Sequence, residues 1–245
     1  MWIHSTASRG LARRTLLGGA LGLVGSGFCR ASEPAKAAAA ELGDLELDAL
    51  VASVRALARG WREAPNAADG RFEERYLAAL ASLLTRLGEV ELPGLELAPG
   101  SDPFDFASLV YYPPISIFAI AMAPGARFDL HDHRRANGGL CLRSGSLECR
   151  HYEFVDPAAA AESGAQAPAA GFDLRRTSTL ALRSGQTATL GTERDNLHEL
   201  VAGPEGAVLI DAFCFLGPEL RSREVELLDP SVALPGEIRR ARWKT

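Results

Sequence analysis

Two amphipathic stretches open the patterned part of the chain. Over residues 47–61, apolar side chains fall at Leu47, Leu50, Val51, Val54, Leu57 and Ala58, the three-and-four spacing that lines one face of a helix. Residues 72–87 repeat it with Tyr76, Leu77, Leu80, Leu83, Leu84 and Leu87, and Pro65-Asn66 and Asp69-Gly70 separate the two. Such stripes predict packing against a core, or a lid on the next layer, in preference to a cofactor box. From Glu89 the texture changes. Apolar runs punctuated by turn residues predict strands at 115–121, 128–133, 139–142, 147–154, 177–182, 187–190, 197–201 and 207–215. Strands this short and frequent predict a mainly β, antiparallel sandwich or barrel behind an N-terminal helical segment. A hairpin turn is expected at 144–146. It would make Cys141 and Cys149 cross-strand neighbours, as two buried thiols or as a disulfide. Residues 157–171, rich in Ala, Gly and Pro, read as a surface loop.

The 245 residues are 47% apolar with mean hydropathy near zero, which suits one soluble domain with a real core. The net charge is −5, but residues 1–31 carry four arginines and no acid, so the remaining body is more acidic still. That balance argues against nucleic acid as a partner. Arg13-Arg14 precedes a glycine-rich apolar run that ends at Phe28, too short to make a good transmembrane helix. Residues 1–31 therefore read as a twin-arginine-type export signal, 32–43 as an alanine-rich linker, 44–90 as helices and 91–245 as the β domain. The expectation is a periplasmic protein, monomeric, with no stable membrane anchor. Four cysteines are too few for a disulfide scaffold, and their spacing matches no zinc motif.

Chemistry enters with His131-Asp132-His133. Two imidazoles at i and i+2 on a strand face the same way, and His198, from a later strand, can close a three-nitrogen cap on one metal ion. The chain has only five histidines. Imidazoles alone would also suit zinc, nickel or copper, so the spacing does not name the metal. Asp132 should point away from the two ligands, as a surface or turn-bonding carboxylate or a partner of neighbouring backbone. Asn196 is expected to fix a turn beside His198, with support of that ligand from behind as the alternative. His151 is expected to be a surface or packing histidine, and Cys214 a core residue.

Gly125-x5-His131-x-His133-x4-Gly138-x6-Gly145 follows the first cupin motif, with glycine where most cupins carry a glutamate ligand. Three neutral imidazoles leave a divalent ion its full charge, which favours an anionic thiolate as the next ligand. Ile115-Ser116-Ile117-Phe118, the Pro124-Gly125 turn, Leu130-His131-Asp132-His133, Asp195-Asn196-Leu197-His198, the run 206–211 ending in Asp211, and Gly217-Pro218 together resemble the cysteamine dioxygenase and plant cysteine oxidase family of thiol dioxygenases. The resemblance spans roughly residues 105–220.

It implies a cupin double-stranded β-helix holding Fe(II) through His131, His133 and His198. The implied reaction adds both atoms of O2 to cysteamine or to an N-terminal cysteine peptide. Asp211 matches the family's acidic residue, with a role in hydrogen bonding near the site or in holding a substrate ammonium. Arg134-Arg135-Ala136 stands where the family commonly has Pro-Gly-Met, either as a carboxylate-recognising pair or as a solvated basic loop. Glu219-Leu220 departs from the family's Pro-Tyr. Two other readings stand beside this one. They are a non-catalytic cupin that binds a metal or small molecule, and a cupin dioxygenase or isomerase for a non-thiol substrate.

Overall fold

A computed structural model describes residues 33–64, 70–92, 97, 102–112, 114–133, 136–156, 171–192, 194–215, 222–229 and 236–244. The expected signal segment, Arg134, Arg135 and Gly217-Pro218 lie outside the described residues, as does nearly all of the expected 157–171 loop.

Helix α1 runs Glu33–Glu63 and α2 runs Gly70–Glu89. The segment expected as a linker thus belongs to α1, because an alanine-rich run has the highest helix propensity of any composition. Leu50, Val54, Ala58 and Trp61 form the buried stripe of α1, and Tyr76, Leu77, Leu80, Leu84 and Leu87 that of α2. The Trp61 and Tyr76 rings stack at 5.3 Å. Among the described residues no helix is long and apolar enough to cross a membrane.

Nine strands follow: β1 (Phe104–Tyr112), β2 (Ile115–Met122), β3 (Arg127–Asp132), β4 (Ala136–Phe154), β5 (Phe172–Arg183), β6 (Thr187–Leu190), β7 (Leu197–Phe215), β8 (Val225–Leu227) and β9 (Ile238–Trp243). They form one antiparallel sheet in the order β1-β2-β7-β4-β5-β9-β8, with β3 on β7 and β6 on β4. The fold is mainly β, a cupin double-stranded β-helix behind an N-terminal helical segment. Its spine is the β4–β7 pair, whose register runs from Ala136↔Phe215 to Tyr152↔Leu197.

The hairpin expected at 144–146 is not formed. β4 passes straight through, with bulges between Leu142 and Ser144 and between Gly145 and Leu147. Gly145 (φ 81°) and Gly206 (φ 79°) make the bend possible, since a Cβ on Gly145 would lie 2.1 Å from the Gly206 carbonyl oxygen. Cys141 and Cys149 therefore share one strand and stay buried free thiols, not a cross-strand disulfide pair. The same bend joins 197–201 to 207–215 as a single strand.

Alternation along β2, β4 and β7 sorts two cores. Ile115, Ile117, Cys141, Ile210, Ala212 and Cys214 pack outward against the two helices. Ile120, Leu140, Leu142, Leu147, Cys149, Leu200 and Leu209 fill the inside of the barrel. The helices are thus core packing, as their stripes predict.

Candidate metal centre

His198 on β7 is the centre of a row. It pairs in register with His131 on β3 and with His151 on β4. His133 lies just beyond the end of β3, two positions after His131 and on the same face. The ring nitrogens converge: His198 Nε2 lies 3.0 Å from His131 Nε2 and 3.0 Å from His133 Nε2. All three rings are buried.

These separations test whether the residues fit a metal. Metal–nitrogen bonds of about 2.1 Å at right angles put two nitrogens about 3.0 Å apart, against about 3.4 Å for tetrahedral angles. Two nitrogen–nitrogen separations of 3.0 Å lie within reach of ligands shared by one ion, so His131, His133 and His198 fit a metal through their ring nitrogens. His133 Nδ1 is buried with no hydrogen-bond partner among the described residues. The donor set alone does not choose the metal.

His131 and His133 are held in different ways. His131 Nδ1–H donates to the Asp129 carbonyl at 2.7 Å, which leaves the Nε2 lone pair facing its two neighbours. His133 is flanked by the Phe213 ring, stacked at 4.1 Å and 14°. Its backbone is clamped by Asn196, whose Oδ1 accepts from His133 N at 3.3 Å. The same side chain's Nδ2 donates to the carbonyls of His133 (3.3 Å), Ala136 (3.1 Å) and Gly191 (2.6 Å). Asn196 does more than fix a turn. It ties the second histidine to the strand carrying the third.

Gly138, at the glutamate position of the motif, is sterically closed. A Cβ there would lie 2.3 Å from the Ala212 carbonyl oxygen and 2.6 Å from the Phe213 ring.

Asp132 departs from a surface carboxylate. It is buried, accepts from Arg223 N at 2.7 Å, and pairs with the Arg223 guanidinium through Nε (3.0 Å) and Nη2 (2.6 Å). That guanidinium lies 3.6 Å from the centre of the Trp243 ring. The charge between the two ligands is thus spent fastening β8 and β9 against β3. Sequence reasoning had no sight of Arg223, which is over ninety positions away.

Burial keeps the rings neutral. Desolvation lowers the pKa of His131 and drives those of His133 and His198 well below the ordinary histidine value, as lone-pair donors require. Asp211, in register with Phe118 and Leu140, is also buried, and desolvation raises its pKa to about 8. Its Oδ1 has no hydrogen-bond partner among the described residues. His151 is buried rather than on the surface. Its ring lies 6.3 Å from that of His198 at 13°, its Nε2 is 3.3 Å from Cys149 Sγ, and its Nδ1 is 3.0 Å from Ser178 Oγ. The signal was present, since Leu147, Cys149 and His151 alternate in one strand and must share a face. Cys214 is core, beneath the helices, as expected.

Fold and site together define a cupin barrel with a buried, all-imidazole group able to hold a metal ion. No family model matches the chain, and no curated protein sequence does either. Similar solved structures include the cupin domain of Cnp3 from Schizosaccharomyces pombe (16% identity, TM-score 0.36, covering 51% of this chain and 72% of that one). KdgF from Halomonas sp. is 14% identical, with TM-score 0.34 and coverage of 49% and 86%. Recombinant oxalate oxidase in complex with glycolate is 16% identical, with TM-score 0.35. That match covers 49% of this chain and only about half, 54%, of the oxalate oxidase chain. The strand pairing described above, not these distant alignments, carries the fold.

Proposed function

We propose that this protein is an iron(II)-dependent thiol dioxygenase. In this reading His131, His133 and His198 are the metal ligands, and Asp211 is the acidic group that meets the substrate. The substrate is a small aminothiol or an N-terminal cysteine. The observation that carries the reading is the donor set: three neutral imidazoles, two of them with Nε2 3.0 Å from His198 Nε2, with the fourth-ligand position closed at Gly138. An uncompensated divalent charge in a buried site favours an anionic sulfur ligand over a neutral one. A ferrous ion bound there supplies that charge and the redox chemistry that joins sulfur to O2. The thiol sulfur gives up four electrons, both oxygen atoms end on it, and the product is a sulfinic acid with no external reductant.

The protein's own groups prepare the site. His131 keeps its lone pair forward by donating its other N–H to Asp129. Asn196 fixes the backbone of His133. Asp211, raised to about 8, holds a proton at neutral pH in the empty protein. A substrate ammonium brought against it would favour the carboxylate and draw the pair together.

The test is oxygen uptake by the Fe(II)-loaded full chain with cysteamine, cysteine and an N-terminal cysteine peptide, with mass spectrometry of the thiol. One O2 consumed per thiol and a product heavier by two oxygen atoms is the expected result. Absence of uptake with every thiol, from protein shown to hold iron, overturns the reading in favour of a non-catalytic cupin or one acting on another substrate.

A further inference from the structure

The barrel interior holds two further metal-ligating side chains beside His198 that the thiol dioxygenase reading does not use. Cys149 and His151 are two residues apart on β4 and both face inward, His151 directly opposite His198 in the β4–β7 register. Ligand atoms of Cys149, His151 and His198 all lie within 4.8 Å of one another, and all three residues are buried. Cys149 Sγ and His151 Nε2 are 3.3 Å apart. A zinc-like ion with bonds of about 2.3 Å to sulfur and about 2.05 Å to nitrogen spans roughly 3.1–3.6 Å between those atoms, so little movement is needed. Ser178 Oγ, 3.0 Å from His151 Nδ1, can accept the Nδ1–H and leave the Nε2 lone pair directed at the sulfur.

We propose that Cys149, His151 and His198 form an alternative metal site, selective for thiophilic cations, that competes with the three-histidine site for His198. A neutral imidazole has one lone pair, so His198 serves one set at a time. The two donor sets differ in softness. Three imidazoles suit a borderline ion, whereas a thiolate with two imidazoles selects zinc, cadmium or copper(I). Binding replaces the Cys149 S–H proton, which leaves for solvent, and forms one metal–sulfur bond without any redox change. The consequence is a built-in route to metal mismatch: a soft ion captures His198 and breaks up the site proposed for iron. This inference rests on the placement of the side chains and not on the reaction proposed above.

Cadmium is the probe. Titrating Cd2+ into the metal-free full chain should produce one equivalent of thiolate-to-cadmium ultraviolet absorption. The band should disappear in Cys149→Ser and in Cys149→Ala, and persist in His131→Ala, which spares all three proposed ligands. His151→Ala should weaken cadmium binding by at least about tenfold, the loss that even changes behind a ligand produce. A band that survives both Cys149 variants, or no band in the wild-type chain, overturns the proposal. So does a band abolished by His131→Ala in protein that remains folded by circular dichroism. Oxygen uptake is measured separately with iron, so failure of the reaction leaves this result standing, and the reverse also holds.

Discussion

The two faces of β7 are both dry, yet they carry different chemistry one residue apart. Ile210, Ala212 and Cys214 point outward into the helix-covered core, whose buried members are otherwise aliphatic or aromatic. Leu209, Asp211 and Phe213 alternate with them on the other face, and further along the same strand stands His198. Burial therefore does not distinguish scaffold from site here. What differs is the density of lone pairs: four imidazoles, a carboxyl and a thiol share the inner face, while the helix-covered positions 210, 212 and 214 of β7 offer only hydrocarbon and one buried thiol. Substitutions one residue apart should consequently separate stability from metal binding.

The largest separation is expected at His198. His198→Ala removes a donor common to both ligand sets, so affinity for Fe2+ or Ni2+ should fall by more than about a hundredfold, beyond the range seen when only a supporting residue is lost. Equilibrium dialysis with metal analysis reads this. Stoichiometric binding by a folded variant would contradict the site.

Asp211 offers a pH test of the same face. Its buried carboxyl retains a proton up to about 8, whereas in the unfolded chain it ionises near its ordinary value of 3.8. Between those values the folded state holds more protons, so stability of the metal-free protein should fall as pH rises from about 4 to about 8. The slope is at most about 1.4 kcal/mol per unit. Asp211→Asn keeps the shape and cannot ionise. Urea unfolding at pH 5 and pH 7.5 should show the wild-type chain losing stability over that interval and the variant losing much less. Equal slopes for the two proteins would mean Asp211 finds a partner or solvent in solution.

On the outer face the outcome inverts. Ile210 is fully buried between sheet and helices, and Ile210→Ala should cost about 2–5 kcal/mol in transfer and cavity terms. The surviving folded fraction should still bind one metal per chain. A loss of metal affinity comparable to that of His198→Ala would show that the two faces are not separable.

How much of this was legible follows from the range of each signal. Periodicity found both helices and the strands that carry His131, His151 and His198, because alternation is local and strong in β4 and β7. The motif spacing brought His131, His133 and His198 together on paper, and the side chains do converge. Gly145 misled as a turn residue because the same positive φ that closes a hairpin also lets a long strand bulge and continue. Strands β1, β8 and β9 were missed, the last two being short and charged, with Arg239, Arg240 and Arg242 on β9. The place of β8 and β9 is secured by the distant Asp132–Arg223 contact, which no local pattern encodes. Of the two expectations for His151 the packing one holds; alternation placed it on the inner face with Cys149, but its position opposite His198 needs the β4–β7 register.

The finest division lies between holding a ligand and being one. Asn196 touches no converging nitrogen, yet its amide meets four backbone groups that join the His133 segment to the start of β7. Asn196→Ala removes the amide donor shared by the His133, Ala136 and Gly191 carbonyls and loosens the His133 segment. That segment keeps its backbone bonds from His133 N to the Asn196 carbonyl (3.2 Å) and from Ala136 N to the His133 carbonyl (2.9 Å). His131 remains fixed by Asp129 and His198 by the β3 and β4 ladders. Metal affinity should drop by about 10–100-fold, less than for His198→Ala, with the imidazole count intact. Asn196→Asp should recover little, since a carboxylate accepts from His133 N but cannot donate to the three carbonyls. X-ray absorption of the bound metal separates the two ways affinity can fall. Three imidazole scatterers with weakened binding means a loosened clamp, and two means that His133 has left. If Asn196→Ala bound metal as tightly as the wild-type chain, the strand pairing alone would be holding His133, and the amide would be a turn residue after all.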